Sequence, residues 1–330
     1  MSPRGLDRLP VLSLAALWLA CMPATAQAPG SDAGDVILKD DFEIGRFDPK
    51  GGLFYKSNAE QLAGRVTFQN RNVHSGRGAV TLSVSPSCKP EAPHCSERAE
   101  VWEKPEVLAA YDRPVWYGFS IFLEDPVPQD DGRYVMAQWK REIISGAEGD
   151  YSPFLALRLY QGKLGITVET DLIEAFPIGS PQRPDGCRPG EARVLSRAEA
   201  DGRQTRALVA TEVNTTAANY PDYFDSCAPG IRVTRHADLP PAQKGWIDFV
   251  FRSQPGPAGD GHVEIIADGV AIATVKGHIG HVGPGLDKNQ YFKFGPYRAP
   301  HPTEWSVSFD DFRRGPRCAD VIRSGQCPSG

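Results

Sequence analysis

The feature that most restricts this chain is a recurrence of short apolar–polar alternations separated by turn residues. About a dozen such segments occur, at 35–42, 65–69, 78–85, 97–103, 115–123, 133–140, 154–160, 163–169, 246–252, 262–267, 270–275, 290–298 and 305–313. A period of two belongs to a strand with one buried face, because successive side chains point to opposite sides. Gly162-Lys163 and Asp268-Gly269 have the composition of two-residue hairpin turns, where Gly and Asp tolerate positive φ. Only residues 192–203 (ARVLSRAEADGR) compete as a helix. Strands with one apolar face bury it by stacking two antiparallel sheets. The predicted fold is therefore all-β, a two-sheet antiparallel β-sandwich with jelly-roll topology. Residues 171–243 interrupt the series with Pro, Gly and two cysteines. So long a segment is expected to be a folded-over excursion held by Cys187–Cys227 beside a binding cleft; a surface decoration is the alternative.

The first thirty residues predict export. Arg4 and Arg8 precede an apolar run from Pro10 to Cys21, and small residues follow (PATAQA). This is the order of a secretory signal peptide, and the run is shorter than the roughly 20 residues that span a bilayer. A signal over 1–28 is expected, cleaved after Ala26 or Ala28, with one mature domain over 29–330. Leu19-Ala20-Cys21 loosely resembles a lipoprotein box, but Trp18 stands where a smaller aliphatic residue is usual. The protein is thus expected to be secreted or periplasmic, without a membrane span, and monomeric. Removing Cys21 with the signal leaves six cysteines, an even count that reads as three bridges in an oxidising compartment. Short spacings pair Cys88 with Cys95 and Cys318 with Cys327, leaving Cys187 and Cys227. No pair shows the two-residue gap of a zinc site.

Charge narrows the partner. Losing Arg4, Arg8 and Asp7 with the signal takes the formal charge from −5 to −6. An acidic chain without a Lys/Arg block argues against nucleic acid. It mildly disfavours the most heavily sulfated polysaccharides, while leaving room for a local basic cleft.

Alternation sorts the strand residues by face. In 133–140, Val135, Ala137 and Trp139 oppose Tyr134, Met136, Gln138 and Lys140. In 290–298, Phe292 and Phe294 oppose Tyr291, Lys293, Gly295 and Tyr297. Arg98, Glu100 and Trp102 share a face. If these polar faces line the concave side of one sheet, they form a trough of cations, an amide and aromatic rings suited to an anionic sugar chain. Ordinary solvated faces are the other reading.

The stretch Tyr291-Phe-Lys-Phe-Gly-Pro-Tyr-Arg298 resembles the lysine–tyrosine signature of the heparin lyase I-like polysaccharide lyases, which include glucuronan lyases. Weaker pieces follow the family order: Phe42-Glu43, Arg98-Ala-Glu100, Trp116-Tyr-Gly-Phe-Ser120, Ala137-Gln-Trp139, Pro153-Phe-Leu-Ala-Leu157, Gly245-Trp246 and Asp310-Asp-Phe312. The resemblance spans roughly 40–313 and implies a concanavalin A-like jelly roll. It also implies elimination across C4–C5 of a uronate in a polysaccharide of the glucuronan, alginate or glycosaminoglycan class.

That chemistry must neutralise the uronate carboxylate, remove the C5 proton and protonate the leaving O4. Arg98 offers a bidentate fork and Gln138 an amide donor. Tyr297 resembles the family's proton-transfer tyrosine, and Lys293 its cleft lysine. Lys293 and Arg298 would favour ionisation of the phenol, whose ordinary pKa is near 10. Tyr291, Trp102, Tyr134, Arg298 and Glu100 complete the expected substrate-binding set, with Glu100 orienting Arg98 as its structural alternative.

One position departs from the family. Relatives often carry Gln-x-His, and here the third residue is Lys140. The base then rests with a lysine whose pKa is depressed by burial or neighbouring cations, with Tyr297 acting twice while Lys140 binds the sugar acid, or with a histidine from elsewhere. The candidates are His74, His94, His236, His262, His278, His281 and His301.

No cofactor is required. A structural calcium is expected from Glu43 and Asp311, with Asp40, Asp41 and Asp310 nearby; acidic surface turns are the alternative.

Two rivals remain. A glycoside hydrolase needs two carboxylates flanking the scissile bond, and Glu97, Glu100 and Glu103 alternate faces. A non-catalytic, lectin-like jelly roll that binds anionic polysaccharides is the stronger rival, since fold alone does not imply activity.

Overall fold

The structure is a computed structural model that describes residues 35–328, apart from 57–61, 90–94, 150, 152, 171–174, 199–203, 221 and 325. The expected signal segment 1–28 and His94 lie outside the described residues. Asp32–Gly330 form one compact unit. Two antiparallel sheets are stacked face to face, which is the jelly-roll sandwich the alternation calls for. In the first sheet the strands run β16 (Ile231–Arg235), β19 (Val270–Ile279), β18 (Gly256–Ala267), β17 (Ile247–Ser253), β8 (Val115–Leu123), β21 (Trp305–Gly315), β4 (Ala79–Val84) and β3 (Gly64–Gln69). Strand β1 (Leu38–Asp40) also pairs with β21.

The second sheet holds the polar strands. Its order is β12 (Phe176–Pro177), β15 (Phe224–Ala228), β13 (Ala192–Ala198), β14 (Thr205–Thr211), β11 (Lys163–Thr170), β10 (Leu155–Tyr160), β9 (Tyr134–Ile143), β20 (Leu286–Arg298), β6 (Val101–Glu103) and β2 (Leu53–Tyr55). Strands β5 (Glu97–Arg98) and β7 (Ala109–Ala110) also lie against β20. No helix among the described residues is long and apolar enough to cross a membrane.

The inner faces meet in an aromatic core. Phe119 of β8 lies 5.4 Å from Phe292 of β20, ring centre to ring centre, and Trp139 of β9 lies 4.7 Å from Phe292 and 4.6 Å from Phe251. All four side chains are buried, and each removes a large apolar area from water, contributing about 1.5–3 kcal/mol per side chain. Three disulfides staple the loops: Cys88–Cys95, Cys187–Cys227 and Cys318–Cys327.

Of the stretch with helical composition, Ala192–Ala198 form strand β13, and 199–203 lie outside the described residues. Strand β13 pairs with β15 over Ala192–Ser196 and with β14 over Leu195–Ala198, with Ala192 and Val194 turned into the core. Ladders on its two sides outweigh the weak helix preference of Ala, Arg and Leu. The same holds across 171–243, where β12 to β15 widen the second sheet and β16 extends the first. The hairpin after β10 turns one residue earlier than composition indicates, at Gln161 (φ 47°) and Gly162 (φ 75°), and Asp268-Gly269 turns as read.

Candidate functional site

The face of the second sheet turned away from the core gathers most of the polar residues selected from sequence. Register does the first part. Lys293 of β20 stands opposite Gln138 of β9 and Trp102 of β6, Tyr291 stands opposite Lys140, and Tyr297 stands opposite both Arg98 and Val135. A kink does the second part. At Gly295 φ is +125°, and a Cβ there would collide with the Ala99 carbonyl oxygen, so only glycine lets the two backbones approach so closely. The approach seats Arg98 and Glu100 beside Tyr297.

Glu100 is the hub. Its carboxylate, 1% exposed, accepts a hydrogen bond from Gln138 Nε2 at 2.5 Å and one from Lys293 Nζ at 2.9 Å; Arg98 Nη1 lies 3.6 Å away. Burial pulls the Lys293 ammonium down from 10.5 to about 8. Lys140 and Arg98 push the same way, and Glu100 resists. Burial raises the phenol pKa of Tyr55, and the Glu100 charge adds to it. The guanidinium of Arg98 stacks on the ring of Tyr297, its Cζ 4.3 Å from the ring centre. Arg98, Glu100, Gln138, Lys293 and Tyr297 thus converge on one patch, with Lys140 on the same face.

Trp102 and Tyr291 face this patch but serve it as supports. Their rings stack on each other at 5.1 Å, and the ammonium groups of Lys293 and Lys56 sit 4.2 and 4.3 Å from the Trp102 ring centre. Trp102 is 8% and Tyr291 4% exposed. Cation–π contacts therefore use a ring face that an open sugar platform would offer.

Tyr134 and Arg298 are corrections. Strand β9 slips register against β10 between Leu157 and Arg158, where Met136 is the extra residue. A bulge reverses the alternation beyond it. Tyr134 and Met136 accordingly enter the core with Ala137 and Trp139. The Tyr134 ring packs edge-on against Trp305, and its hydroxyl donates to Asp130 at 2.8 Å. Arg298 needs no reversal: it shares the period-two face of Phe292 and Phe294, is fully buried, and donates from Nε to Glu97 at 2.7 Å. From that side of the sheet it does not reach the Tyr297 patch.

Residues that alternation passed over complete the trough. Arg133, just before β9, is exposed and stacks on Tyr297 with its Cζ 4.8 Å from the ring centre. Lys56 follows β2 and caps Trp102. Both lie outside the alternating segments, so the signal available was only their charge beside a strand end. Within the excursion, Tyr220 and Tyr223 pack with Leu208 on the sheet face opposite the core, and the Tyr223 and Tyr160 hydroxyls are 2.8 Å apart. Next to them, Glu169 holds Arg206 at 2.7 Å and Arg158 at 3.5 Å.

Of the described histidine candidates, His74 is held by Asp248 and Asp311, His236 by Thr274, His262 by Glu264 and His301 by Asp130, His281 lies against Tyr151, and the backbone N–H of His278 donates to the Gly230 carbonyl.

Glu43 and Asp311 belong to a loop anchor rather than an oxygen cage. Glu43 accepts the backbone N–H groups of Arg77 and Gly78, while Asp311 takes the Ser75 hydroxyl at 2.8 Å and faces the guanidinium groups of Arg313 and Arg323. Calcium takes six to eight oxygens, and carboxylates engaged by N–H donors and arginines do not fit that requirement as they stand. Burial raises Asp40 and Asp310 to about 6.

Against this geometry, the model of the polysaccharide lyase family matches residues 42–313. The chain belongs to that family. The match makes this family member a lyase acting on polysaccharides. Among solved structures, the endo-β-1,4-glucuronan lyase from the fungus Trichoderma reesei is 13% identical, with a TM-score of 0.52 over 87% of this lyase and 97% of the fungal chain. The cellulose-induced protein Cip1 is 12% identical, with a TM-score of 0.45 over 85% and 97%. At 13% identity the likeness to the glucuronan lyase speaks for a shared fold alone. Among curated proteins, none matches this sequence.

Proposed function

We propose that this chain is an exported lyase that cleaves a uronate-containing polysaccharide by β-elimination. The observation that carries the reading is the Glu100 hub, which gathers Arg98, Gln138 and Lys293 beside Tyr297 on one sheet face. Elimination asks for that set. Cationic and amide donors neutralise the uronate carboxylate, so that charge developing as the C5–H bond breaks is held by fixed dipoles and charges. The Tyr297 oxygen, in its phenolate form, takes the C5 proton, and the phenol so formed gives it to O4 as the C4–O4 bond breaks and C4=C5 forms. Lys140 binds the sugar acid in this scheme. The lysine with a depressed pKa is Lys293, and its bond to Glu100 gives it a charge-holding role. Export rests on the charged, apolar and small-residue order of 1–28, and three disulfides are consistent with an extracellular protein.

The test is incubation of the purified protein with glucuronan, alginate, hyaluronan and heparin, monitored for ultraviolet absorbance of the new double bond. Absorbance with at least one polymer is expected. Binding without it would replace the lyase with the non-catalytic carbohydrate-binding reading. New reducing ends without it would mean hydrolysis.

A further inference from the structure

In the proposed elimination Arg98, Gln138 and Lys293 meet the reacting carboxylate, which leaves Arg133 to be explained. A carboxylate offers about four lone-pair sites, so three converging donors come close to saturating it. Arg133 differs from the guanidinium groups that pair with carboxylates on this sheet, and from Arg141 of β9, which donates to the carbonyls of His281, Leu286 and Asp287. Arg98 pairs with Glu100, Arg298 with Glu97, and Arg158 and Arg206 with Glu169. Among the described residues, no carboxylate lies within ion-pair distance of Arg133, and its side chain is exposed while resting on Tyr297. Its backbone is pinned on both sides. The Arg133 carbonyl accepts the Ala299 N–H at 3.2 Å. Asp130 takes the Gly132 N–H at 2.7 Å and the Tyr134 hydroxyl at 2.8 Å, and pairs with His301 at 3.2 Å. A planar cation on a fixed root, held against the proton-transfer ring, is preorganised for a planar anion.

The two guanidinium carbons lie 4.3 and 4.8 Å from the Tyr297 ring centre, so they are no more than 9.1 Å from each other. Within that bound the two forks can engage carboxylates on two neighbouring sugars. We propose that Arg133 binds the carboxylate of the uronate next to the one that loses its C5 proton, and so selects polymers with consecutive uronates over those that alternate uronate with hexosamine. The proposal rests on the lyase reading of the trough. In an alternating polymer the neighbouring sugar carries no C6 carboxylate, and Arg133 has nothing to bind.

The test uses the full chain carrying Tyr297→Phe, so that substrate is not consumed, with and without Arg133→Gln. Binding of glucuronan and hyaluronan oligomers of equal length is measured by titration calorimetry. Loss of a charge-assisted fork is expected to weaken glucuronan about tenfold or more and to leave hyaluronan within about twofold. Arg133→Lys should recover part of the glucuronan affinity. In the otherwise native enzyme, Arg133→Gln should raise KM for glucuronan with kcat largely kept. Equal weakening of both polymers, or of neither, overturns the proposal. Failure of the lyase reading shows separately, as an absence of double-bond absorbance from the native protein with every polymer. The calorimetric contrast would still decide whether Arg133 reads a second carboxylate.

Discussion

Replacing Glu100 with Gln probes the hub most directly. The variant keeps the shape and one carbonyl acceptor but leaves the ammonium of Lys293, 3% exposed, and the largely buried Arg98 without their counter-charge. Removing one partner of a buried ion pair costs about 3–5 kcal/mol, against a total stability on the order of 5–15 kcal/mol. Chemical denaturation at pH 6 should register that loss. The loss should also depend on pH. The Lys293 pKa in the folded protein is about 8, against 10.5 for the free side chain. Between those values the unfolded chain binds more protons, so native stability rises with pH across that window. Glu100 is the partner that holds the pKa up, and without it the folded-state value falls below about 8. The variant then sheds the proton earlier, and its deficit shrinks as pH climbs from 6 towards 9. A deficit under about 1 kcal/mol at pH 6, the range of an exposed pair, or one that does not change with pH, would refute the hub as the organiser of these cations.

Other substitutions separate the remaining roles. Tyr297→Phe should lower kcat by about 10²-fold or more while oligosaccharide binding by calorimetry is largely kept; near-native turnover would remove the phenol from the chemistry. Lys140→Ala should raise KM with only a modest fall in kcat, and a collapse of kcat would make Lys140 the base. Arg298→Met should destabilise by about 3–5 kcal/mol, and the double change Glu97→Met with Arg298→Met should recover much of it. A raised KM without a melting shift would return Arg298 to the trough.

Much of the fold was legible because strand alternation is a local property. The inward set Tyr117, Phe119 and Ile121 of β8, or Phe292 and Phe294 of β20, follows from period two alone. Strands β13 to β16 were not legible for the complementary reason. Segments such as Ala192–Ala198 and Phe224–Ala228 carry mixed preferences, and what makes them strands is a neighbour with a free edge. Such a neighbour comes from tertiary structure.

The site divides along the same line. Arg98, Glu100, Gln138, Lys293 and Tyr297 were found because each keeps the face that alternation within its own segment assigns it. Tyr134 was misplaced because a register slip in β9 stands between it and Gln138, and Arg298 because closeness to Tyr297 in sequence stood in for its face, which is that of Phe292 and Phe294. A bulge costs one residue of register and leaves no clear compositional mark, since Met136 sits comfortably in an apolar run. The charge pattern was hidden too. The acidic total gives no hint of a cationic trough, because Glu97, Glu100 and Glu169 are spent inside the protein on Arg298, Arg98 with Lys293, and Arg158 with Arg206. Beside those pairs, Arg133, Lys140 and Lys56 add the cationic charge that first meets an incoming polyanion, before Arg98 and Lys293 take the reacting carboxylate. Salt should therefore weaken substrate capture through these three far more than it disturbs the buried hub.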